Sequence, residues 1–450
     1  MRWPKRWTGP RGSSGAISAG GSLPRTGPRG RLSSGAKPAA REEGLCRMKR
    51  IVILCDGTWN RSDSLHPTNV IRFAQAMLGE APDGTAQVPV YIAGVGTGRG
   101  IARRLDSLIG GAFGKGLFAN LVEAYQHLVF MYEPGDEIHI LGFSRGAYTA
   151  RSLAGLLRST GIVERRFLHR VPEALSRYRT LNDPATHPSS EDSHRFRLEL
   201  SPRIATSTKE IAWRRENGHG DAKLLTVSYL GVWDTVGALG VPVGLPLIRN
   251  LAARRYRFHD ASLSSMVKSA RHAVALDETR PAFQPTLWDN VDELNRESAP
   301  SGSPEPYQQK WFAGDHGSVG GGGDVHALSS IGLAWIIEGA QDAGLVFDDA
   351  ELQAIRNEQE VMGPLRNTTT PASLLSRVMR LRAKDRVGPA TPRELHPSVI
   401  RRWQAEAESR GFQPYRPGSL RRIAAALDAE RHGGLSTATA AASPEPHAPA

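Results

Sequence analysis

An α/β fold, with a mostly parallel sheet covered by helices on both faces, is predicted by three observations. Short apolar runs alternate along the chain with segments of helical spacing, which is the pattern of strands joined by crossover helices. Two of these runs, residues 50–55 and 138–142, are largely apolar, as strands buried on both faces are. With 450 residues, the chain is also long enough to bury a large core.

The predicted elements follow in order from the first apolar run. We predict strands at residues 50–55, 88–93, 138–142 and 224–233, helices at 68–78, 117–132 and 328–340, a helix-like segment through Ala270 and Leu276, and an extended segment at 281–288. Another short apolar run, Trp311-Phe312, leads into a glycine-rich loop.

Residues 48–345 are interpreted as one domain that contains all of these elements. Within it, residues 164–223 are polar, and their few apolar residues follow neither helical nor strand spacing. We interpret this segment as a lid-like insertion over the carboxyl edge of the sheet. The alternative is that this segment is an ordinary surface insertion without a lid role. Residues 346–432 are predicted to be a helical, Arg-rich extension, and residues 433–450 a disordered tail rich in Ala, Ser, Thr and Pro.

The formal charge of +12 is concentrated at the amino end of the chain. Residues 1–47 contain ten Lys and Arg against two Glu, so the remainder is nearly balanced and the charge does not indicate a nucleic-acid partner. We interpret this segment as a disordered basic extension or an over-long start assignment, because Met48 directly precedes the first strand. A basic targeting segment is the alternative. The segment lacks the apolar core of a secretory signal, and no apolar run in the chain reaches membrane-spanning length.

The strongest local motif is Gly142-Phe143-Ser144-Arg145-Gly146, between a predicted strand and a segment of helical spacing. In this Gly-x-Ser-x-Gly context, a sharp strand-to-helix turn exposes the central serine in a strained conformation, and the two glycines let neighbouring backbone pass. Ser144 is therefore a candidate nucleophile at the amino end of a helix. Its alternative role is that of an ordinary helix N-cap.

A nucleophilic serine needs a histidine as base and an acid that orients the imidazole. In an α/β-hydrolase, the acid and then the histidine follow the serine along the chain, each after a strand. Asp234 follows the strand 224–233, and His316 follows Trp311-Phe312. The alternative roles are a turn-capping carboxylate for Asp234 and a plain loop histidine for His316. As acids for this histidine, the adjacent Asp315 is poorly placed and Asp324 is the fallback.

The oxyanion formed during acyl transfer requires two backbone N–H donors. The N–H of Arg145, directly after the serine, is the first candidate. The second is the N–H of Gly57 or Thr58, in the loop that follows the first strand. Asp56 is expected to brace this loop or to cap a turn there.

Other chemistries are disfavoured by specific residues. A haloacid-dehalogenase-like phosphatase would need an aspartate at position 54, where the chain has Leu54. A P-loop is excluded because Gly116 follows Gly114-Lys115 in place of Ser or Thr. Cys46 and Cys55 are too few for a disulfide framework or a Cys-rich metal site, and both are expected to be reduced. An interaction module that has kept a hydrolase fold without its activity remains the alternative from another functional class.

Four ordered segments carry a resemblance to a known family. They are Ile53-Leu54-Cys55-Asp56-Gly57-Thr58-Trp59-Asn60, Gly142-Phe143-Ser144-Arg145-Gly146-Ala147-Tyr148-Thr149-Ala150-Arg151, Gly231-Val232-Trp233-Asp234-Thr235-Val236-Gly237 and Trp311-Phe312-Ala313-Gly314-Asp315-His316. Together they resemble the α/β-hydrolase domain of type VI secretion phospholipase effectors and of many uncharacterised bacterial relatives, over about residues 49–345. Ser318 is a departure, since family members usually carry an acidic or amide residue at that position.

This resemblance implies a serine carboxylic-ester hydrolase of the phospholipase or lipase type, with Ser144, Asp234 and His316 as the triad and no metal or cofactor. An esterase for a small non-lipid ester is the alternative. The resemblance also implies a phospholipid or other ester substrate, peripheral contact with a membrane surface, and a secretion carrier or immunity protein as partner. The expected location is the cytoplasm or delivery by a dedicated secretion system.

Overall fold

The computed structural model describes residues 48–58, 60, 63–94, 111–180, 183–237, 262–298, 303–369, 383–405 and 414–429. The predictions for residues 1–47 and 433–450 lie outside the described residues. Among the helices that the structure describes, none is both long and apolar enough to cross a membrane.

A six-stranded parallel sheet forms the centre of the fold, and a two-stranded parallel pair lies apart from it. In chain order the strands are β1 Arg50–Cys55, β2 Gln87–Ile92, β3 Glu137–Phe143, β4 Ile204–Ala205, β5 Lys223–Leu224, β6 Tyr229–Trp233, β7 Ala270–Ala275 and β8 Tyr307–Phe312. The order across the large sheet is β2-β1-β3-β6-β7-β8, and β4 pairs with β5. The carboxyl ends of β3, β6 and β8 therefore meet at one edge of the large sheet.

Helices surround this sheet. In chain order they are α1 Asn69–Ala76, α2 Gly111–Met131, α3 Arg145–Thr160, α4 Val171–Arg179, α5 Glu191–Leu200, α6 Thr208–Glu216, α7 Val291–Ser298, α8 His316–Gly320, α9 Ala327–Asp342, α10 Asp349–Asn357 and α11 Pro397–Gln404. Along β1, alternate side chains enter opposite cores: Ile51 and Ile53 pack with α2 and α3, whereas Val52 and Leu54 pack with α1 and α9. Burial on both faces explains the unbroken apolar run of this strand.

In its described contacts, the insertion 164–223 packs against the core helices. Its helices α4 and α5 contact α3, and Ser201 donates a 2.6 Å hydrogen bond to the carbonyl of Ile162 just beyond α3. Arg203 pairs with Glu133, in the loop before β3 and so near the amino end of that strand. These contacts lie along α3 and near the amino end of β3, and the lid-like role of the insertion over the carboxyl edge stays a prediction.

The helix-like segment through Ala270 and Leu276 is also a correction, because residues 270–275 form β7 between β6 and β8. Two polar residues obscured the strand pattern. Arg271 reaches the carbonyl of Trp335, and His272 is buried with hydrogen-bonding partners of its own. Pairing with two neighbouring strands overrides the weak local preference for helix.

Residues after 346 include α10, a segment without helix or strand at 383–391, and α11. A third apolar cluster joins the ends of β7 and β8, through Val274 and Trp311, to Leu395, Val399 and Trp403. The described part of the Arg-rich extension thus packs directly on the sheet.

Candidate active site

Ser144 sits at a sharp turn from β3 into α3, with φ 59° and ψ −120°. A non-glycine residue at positive φ is strained, and the surrounding structure must hold it there. The two flanking glycines permit the close packing that does so. A Cβ on Gly142 would lie 2.6 Å from the carbonyl oxygen of Gly146, and one on Gly146 would lie 2.2 Å from that of Cys55. The turn therefore has the geometry of the predicted nucleophile elbow.

A continuous hydrogen-bond chain connects the three predicted triad residues. His316 Nε2 lies 2.8 Å from Ser144 Oγ, and His316 Nδ1 lies 2.5 Å from Asp234 Oδ2. When Nδ1–H donates to the carboxylate, Nε2 is left to accept the serine hydroxyl proton. The sheet brings these residues together because β3, β6 and β8 each end just before one of them.

Two aromatic rings hold the imidazole of His316 in place. The ring centroid of Phe143 lies 4.6 Å from that of His316, and Phe283 approaches edge-on at 4.8 Å. His316 begins the short helix α8, whereas the sequence predicted a loop there. Asp315 caps this helix by accepting a 3.0 Å hydrogen bond from the N–H of Ser318. The imidazole is therefore restricted both by its own backbone and by contact with two aromatic rings.

Asp234 is fully buried, at a positive φ of 37° directly after β6. Its Oδ1 accepts from Ala275 N–H at 3.0 Å and from Arg386 Nη1 at 2.6 Å, while Oδ2 accepts from Arg386 Nη2 at 2.9 Å in addition to His316. Burial by itself raises the pKa of this carboxyl. The positive charge of Arg386 and the hydrogen bonds outweigh burial and hold the pKa of Asp234 well below its usual range.

A second carboxylate, Glu278, lies beside the histidine backbone. Its Oε2 accepts from the N–H of His316 at 3.4 Å and pairs with Arg280 at 2.6 Å. Burial raises the pKa of Glu278, but the Arg280 guanidinium more than compensates, so that the net pKa is lowered. Arg280 also stacks over Phe283 at 3.7 Å, and this supports the ring that contacts the imidazole.

The loop after β1 lies directly beside the serine, since a Cβ on Gly57 would lie 3.3 Å from Ser144 Cβ. Of the two donor candidates in this loop, the N–H of Gly57 is already engaged by Asp56 Oδ1 at 2.6 Å. The N–H of Thr58 makes no hydrogen bond within the described residues, so it is the better candidate. Arg145 begins α3, so its N–H lies at the amino end of that helix.

Asp56 braces this loop as the sequence analysis expected. Its carboxylate accepts from both Thr68 Oγ1 and Tyr91 Oη, at 2.9 Å each, in addition to Gly57. Burial is the largest influence on this group and raises the pKa of Asp56.

The remaining sequence candidates lie away from the hydrogen-bond chain. Asp324, the fallback acid, accepts from the N–H of Thr369 at 2.9 Å and does not reach His316. Ser318, at the position where the family pattern departs, donates to Asp315 Oδ1 at 3.0 Å and to the carbonyl of Leu365 at 2.8 Å. In the part of the chain that the structure describes, no group of three or more His, Cys, Asp or Glu is placed to hold a metal ion.

A cavity of about 490 Å³ lies along α3, on the side of the insertion, between Arg151, Tyr178 and Trp288. None of the three triad candidates lines it. Ser144 and His316 are instead only 3% and 7% exposed. The site is therefore assigned from the hydrogen-bond chain and the strained elbow, and not from the size of a cavity.

Sequence reasoning missed Arg386 and Glu278. Arg386 lies in an Arg-rich segment, 152 residues from Asp234, and no spacing rule distinguishes it from the neighbouring arginines. Glu278 follows a segment interpreted as a helix, so its position near the carboxyl edge of the sheet could not be inferred. The signal for Glu278 would have been the strand β7, which ends three residues before it.

Comparison with known proteins gives distant relatives. An uncharacterized protein of Saccharomyces cerevisiae is 26% identical over 246 residues, which is 52% of this chain and 32% of the yeast protein. A structure of an uncharacterized protein from Pseudomonas aeruginosa is 18% identical with a TM-score of 0.37, and covers 89% of this chain and 60% of that one. The Tle1 effector bound to the VgrG spike of the type 6 secretion system is 19% identical with a TM-score of 0.32, and covers 62% of this chain and 52% of that one.

This chain thus spans about a third of the yeast protein and between half and two thirds of these two solved chains. Its sequence also matches the family described as "T6SS, Phospholipase effector Tle1-like, catalytic domain" over residues 49–339. That match covers well over half of the chain and includes the elbow, Asp234 and His316. The protein therefore belongs to the family of Tle1-like phospholipase effector catalytic domains.

Proposed function

We propose that this protein is a serine hydrolase that cleaves a carboxylic-ester bond of a phospholipid. The observation that carries the proposal is the chain from Ser144 Oγ through His316 to Asp234, with contacts of 2.8 Å and 2.5 Å. The strained elbow, which presents the serine at the amino end of α3, supports the same assignment. Family membership supports the phospholipid as substrate class.

The mechanism begins when Ser144 Oγ attacks the ester carbonyl while His316 Nε2 takes the hydroxyl proton. Asp234 holds the imidazole in the required tautomer and stabilises its protonated form. The N–H groups of Arg145 and Thr58 would bind the oxyanion of the tetrahedral intermediate. Protonated His316 then donates its proton to the departing alcohol, which leaves an acyl group on the serine.

The second half of the reaction repeats these steps with water. His316 removes a proton from the water, the hydroxide attacks the acyl-serine carbonyl, and the returning proton releases Ser144 and the free acid. No redox step is involved, and each proton that the imidazole accepts is given to a leaving group.

The experiment is to treat the wild type and Ser144→Ala with a fluorophosphonate probe and with phospholipid vesicles. Ser269→Ala is a matched control, since the Ser269 hydroxyl donates to the carbonyl of Ser228 at the opposite end of the sheet. We expect labelling and fatty-acid release by the wild type and the control but not by Ser144→Ala. Equal labelling of all three would overturn the role of Ser144.

Short-chain nitrophenyl esters distinguish the remaining alternatives. Hydrolysis of these esters without any release of fatty acid from vesicles would replace the phospholipid with a small ester as substrate class. Complete inactivity of folded wild type would favour an interaction protein that keeps the hydrolase fold.

Delivery to another cell by a type VI secretion system, with a carrier protein and an immunity protein as partners, is a further part of this proposal. It derives from the description of the family. The test is to follow tagged protein in culture supernatants of a producing strain with and without a working secretion sheath. Equal amounts in both supernatants would count against this route.

A further inference from the structure

The segment 383–391, which forms neither helix nor strand, carries one buried arginine in an otherwise largely exposed stretch. Arg386 is 3% exposed, whereas the next residue, Val387, is 74% exposed. This reverses the usual preference, in which the apolar side chain is buried and the charged one faces water. The segment lies beyond residue 339, where the family match ends.

The guanidinium of Arg386 ends on the carboxylate of Asp234 in a two-pronged contact, with Nη1 to Oδ1 at 2.6 Å and Nη2 to Oδ2 at 2.9 Å. Nη1 also donates to the carbonyl oxygen of Ala275, at 2.7 Å, and Nη2 to that of Phe283, while Nε has no partner among the described residues. These two carbonyls belong to the end of β7 and to the segment whose ring contacts His316. The planar fork of an arginine fixes both the position and the rotation of a carboxylate in a way that a point charge cannot.

On this basis we infer that Arg386 is a positioning residue of the triad, which fixes the carboxylate of Asp234 for its contact with His316. The inference rests on the proposed function. Without the guanidinium, the buried carboxylate would keep only the Ala275 N–H and the imidazole as partners. Loss of the Arg386 charge would raise the pKa of Asp234 relative to the wild type, and the carboxylate would lose the two-pronged contact that fixes its rotation. The complete catalytic unit therefore includes residue 386.

A purely structural role is the rival explanation, because buried ion pairs can simply hold segments together. Arg402 offers a matched control for that possibility. It is a buried arginine of the same C-terminal region, it donates to the carbonyls of Val361 and Gly363, and it stacks on Tyr415. It makes no described contact with the triad.

The experiment compares the full chain as wild type, Arg386→Met, Arg386→Lys and Arg402→Met. The first readout is the rate of phosphonylation of Ser144 by a fluorophosphonate. The second is the downfield proton NMR resonance of the imidazole N–H in its short hydrogen bond, which does not depend on activity. Circular dichroism and thermal melts establish that each variant is folded.

We expect Arg386→Met to slow phosphonylation by about 100-fold, as small misplacements of catalytic groups do, and to shift or abolish the downfield resonance. Arg386→Lys should recover part of the rate, because it restores the charge but not the fork. Arg402→Met should behave as the wild type in both readouts. If Arg386→Met does not fold, Arg386→Lys decides the question.

Wild-type rate and resonance in the folded Arg386 variants would overturn the inference while the proposed function stands. Equal slowing of phosphonylation in Arg386→Met and Arg402→Met would overturn the inference, because it would show that Arg386 has only a structural role. Absence of labelling in the wild type would instead contradict the proposed function, and the resonance alone would then decide whether Arg386 orients Asp234.

Discussion

Two buried clusters of arginine and carboxylate in this protein use the same chemistry in different ways. The insertion cluster comprises Glu210, Arg197 and Arg214, with contacts of 2.7 Å and 2.6 Å and side chains at most 1% exposed. The site cluster comprises Asp234, Arg386 and His316, and its acid is equally buried. Both clusters remove charges from water, which is costly unless every charge is well paired.

The difference lies in how far apart along the chain the partners are. In the insertion cluster, the arginines lie 13 and 4 residues from the glutamate, so one local unit supplies the whole cluster. In the site cluster, the partners lie 152 and 82 residues from the aspartate, so the cluster exists only once the whole fold has assembled. The first is therefore expected to stabilise the insertion, and the second to control reactivity.

The largest expected effect is on the acid of the site cluster. Asp234→Asn removes the charge that selects the imidazole tautomer, and we expect the rate of ester cleavage to fall about 10⁴-fold, as for the equivalent change in a serine protease. The measurement is the turnover of a nitrophenyl ester by protein whose fold has been checked by circular dichroism. A fall of less than tenfold would mean that the site cluster does not control the rate of ester cleavage, and the expected difference from the insertion cluster would be lost.

Glu210→Gln tests the insertion cluster in the same way. It leaves two buried arginines without a carboxylate, and we expect a loss of about 3–5 kcal/mol in the free energy of unfolding. Urea titration at 25 °C measures this loss. Rates normalised to the folded fraction should stay within about twofold of the wild type, because Glu210 makes no described contact with the site. A large fall in the normalised rate would show that the insertion cluster also controls reactivity, contrary to the expected difference between the two clusters.

A double-mutant cycle refines the comparison at smaller energies. Pairing Asp234→Asn with Arg386→Met removes both members of the buried pair, and we expect the pair of changes to cost about 1–3 kcal/mol less in stability than the sum of the two single changes. Denaturant titration of the four proteins gives this coupling. A coupling near zero would indicate that the guanidinium is held by the carbonyls of Ala275 and Phe283 alone.

The smallest effect is expected for an exposed pair. Arg203, whose side chain is 57% exposed, bridges Glu133 and Glu164 on the surface. Arg203→Gln should cost less than about 1 kcal/mol in the free energy of unfolding, and salt should screen most of that contribution. Titrations in low and high sodium chloride check this. A cost similar to that of Glu210→Gln would show that burial does not set the strength of these contacts.

The parts of the fold that sequence predicted are those where one local pattern decides the structure. Strand β1 is buried on both faces, so its apolar run alone predicts it. Ser144 lies in a five-residue motif in which a Cβ on Gly142 would meet the backbone of Gly146, and one on Gly146 would meet the end of β1. Asp234 and His316 were selected because the fold orders them along the chain after strands.

The parts that sequence did not predict depend on distant partners. Strand β7 contains Arg271 and His272, and only their partners on other elements make these polar residues compatible with a buried strand. The contact of Arg386 with the acid can be identified only from the fold, which places its segment beside the end of β6. Such long-range contacts do not produce a periodic pattern of apolar residues in a single sequence.

The elbow also determines how the site can move. Ser144 N–H donates to the carbonyl of Trp233 at 2.9 Å, which joins the nucleophile to the residue just before the acid through the backbone of adjacent strands. The serine and the aspartate therefore cannot drift apart without opening the sheet itself. Among the described residues, the backbone N–H of His316 has no strand partner, and the residue stands on a helix of five residues. Thermal fluctuation that interrupts proton transfer should thus begin at the histidine, while the other two members keep their spacing.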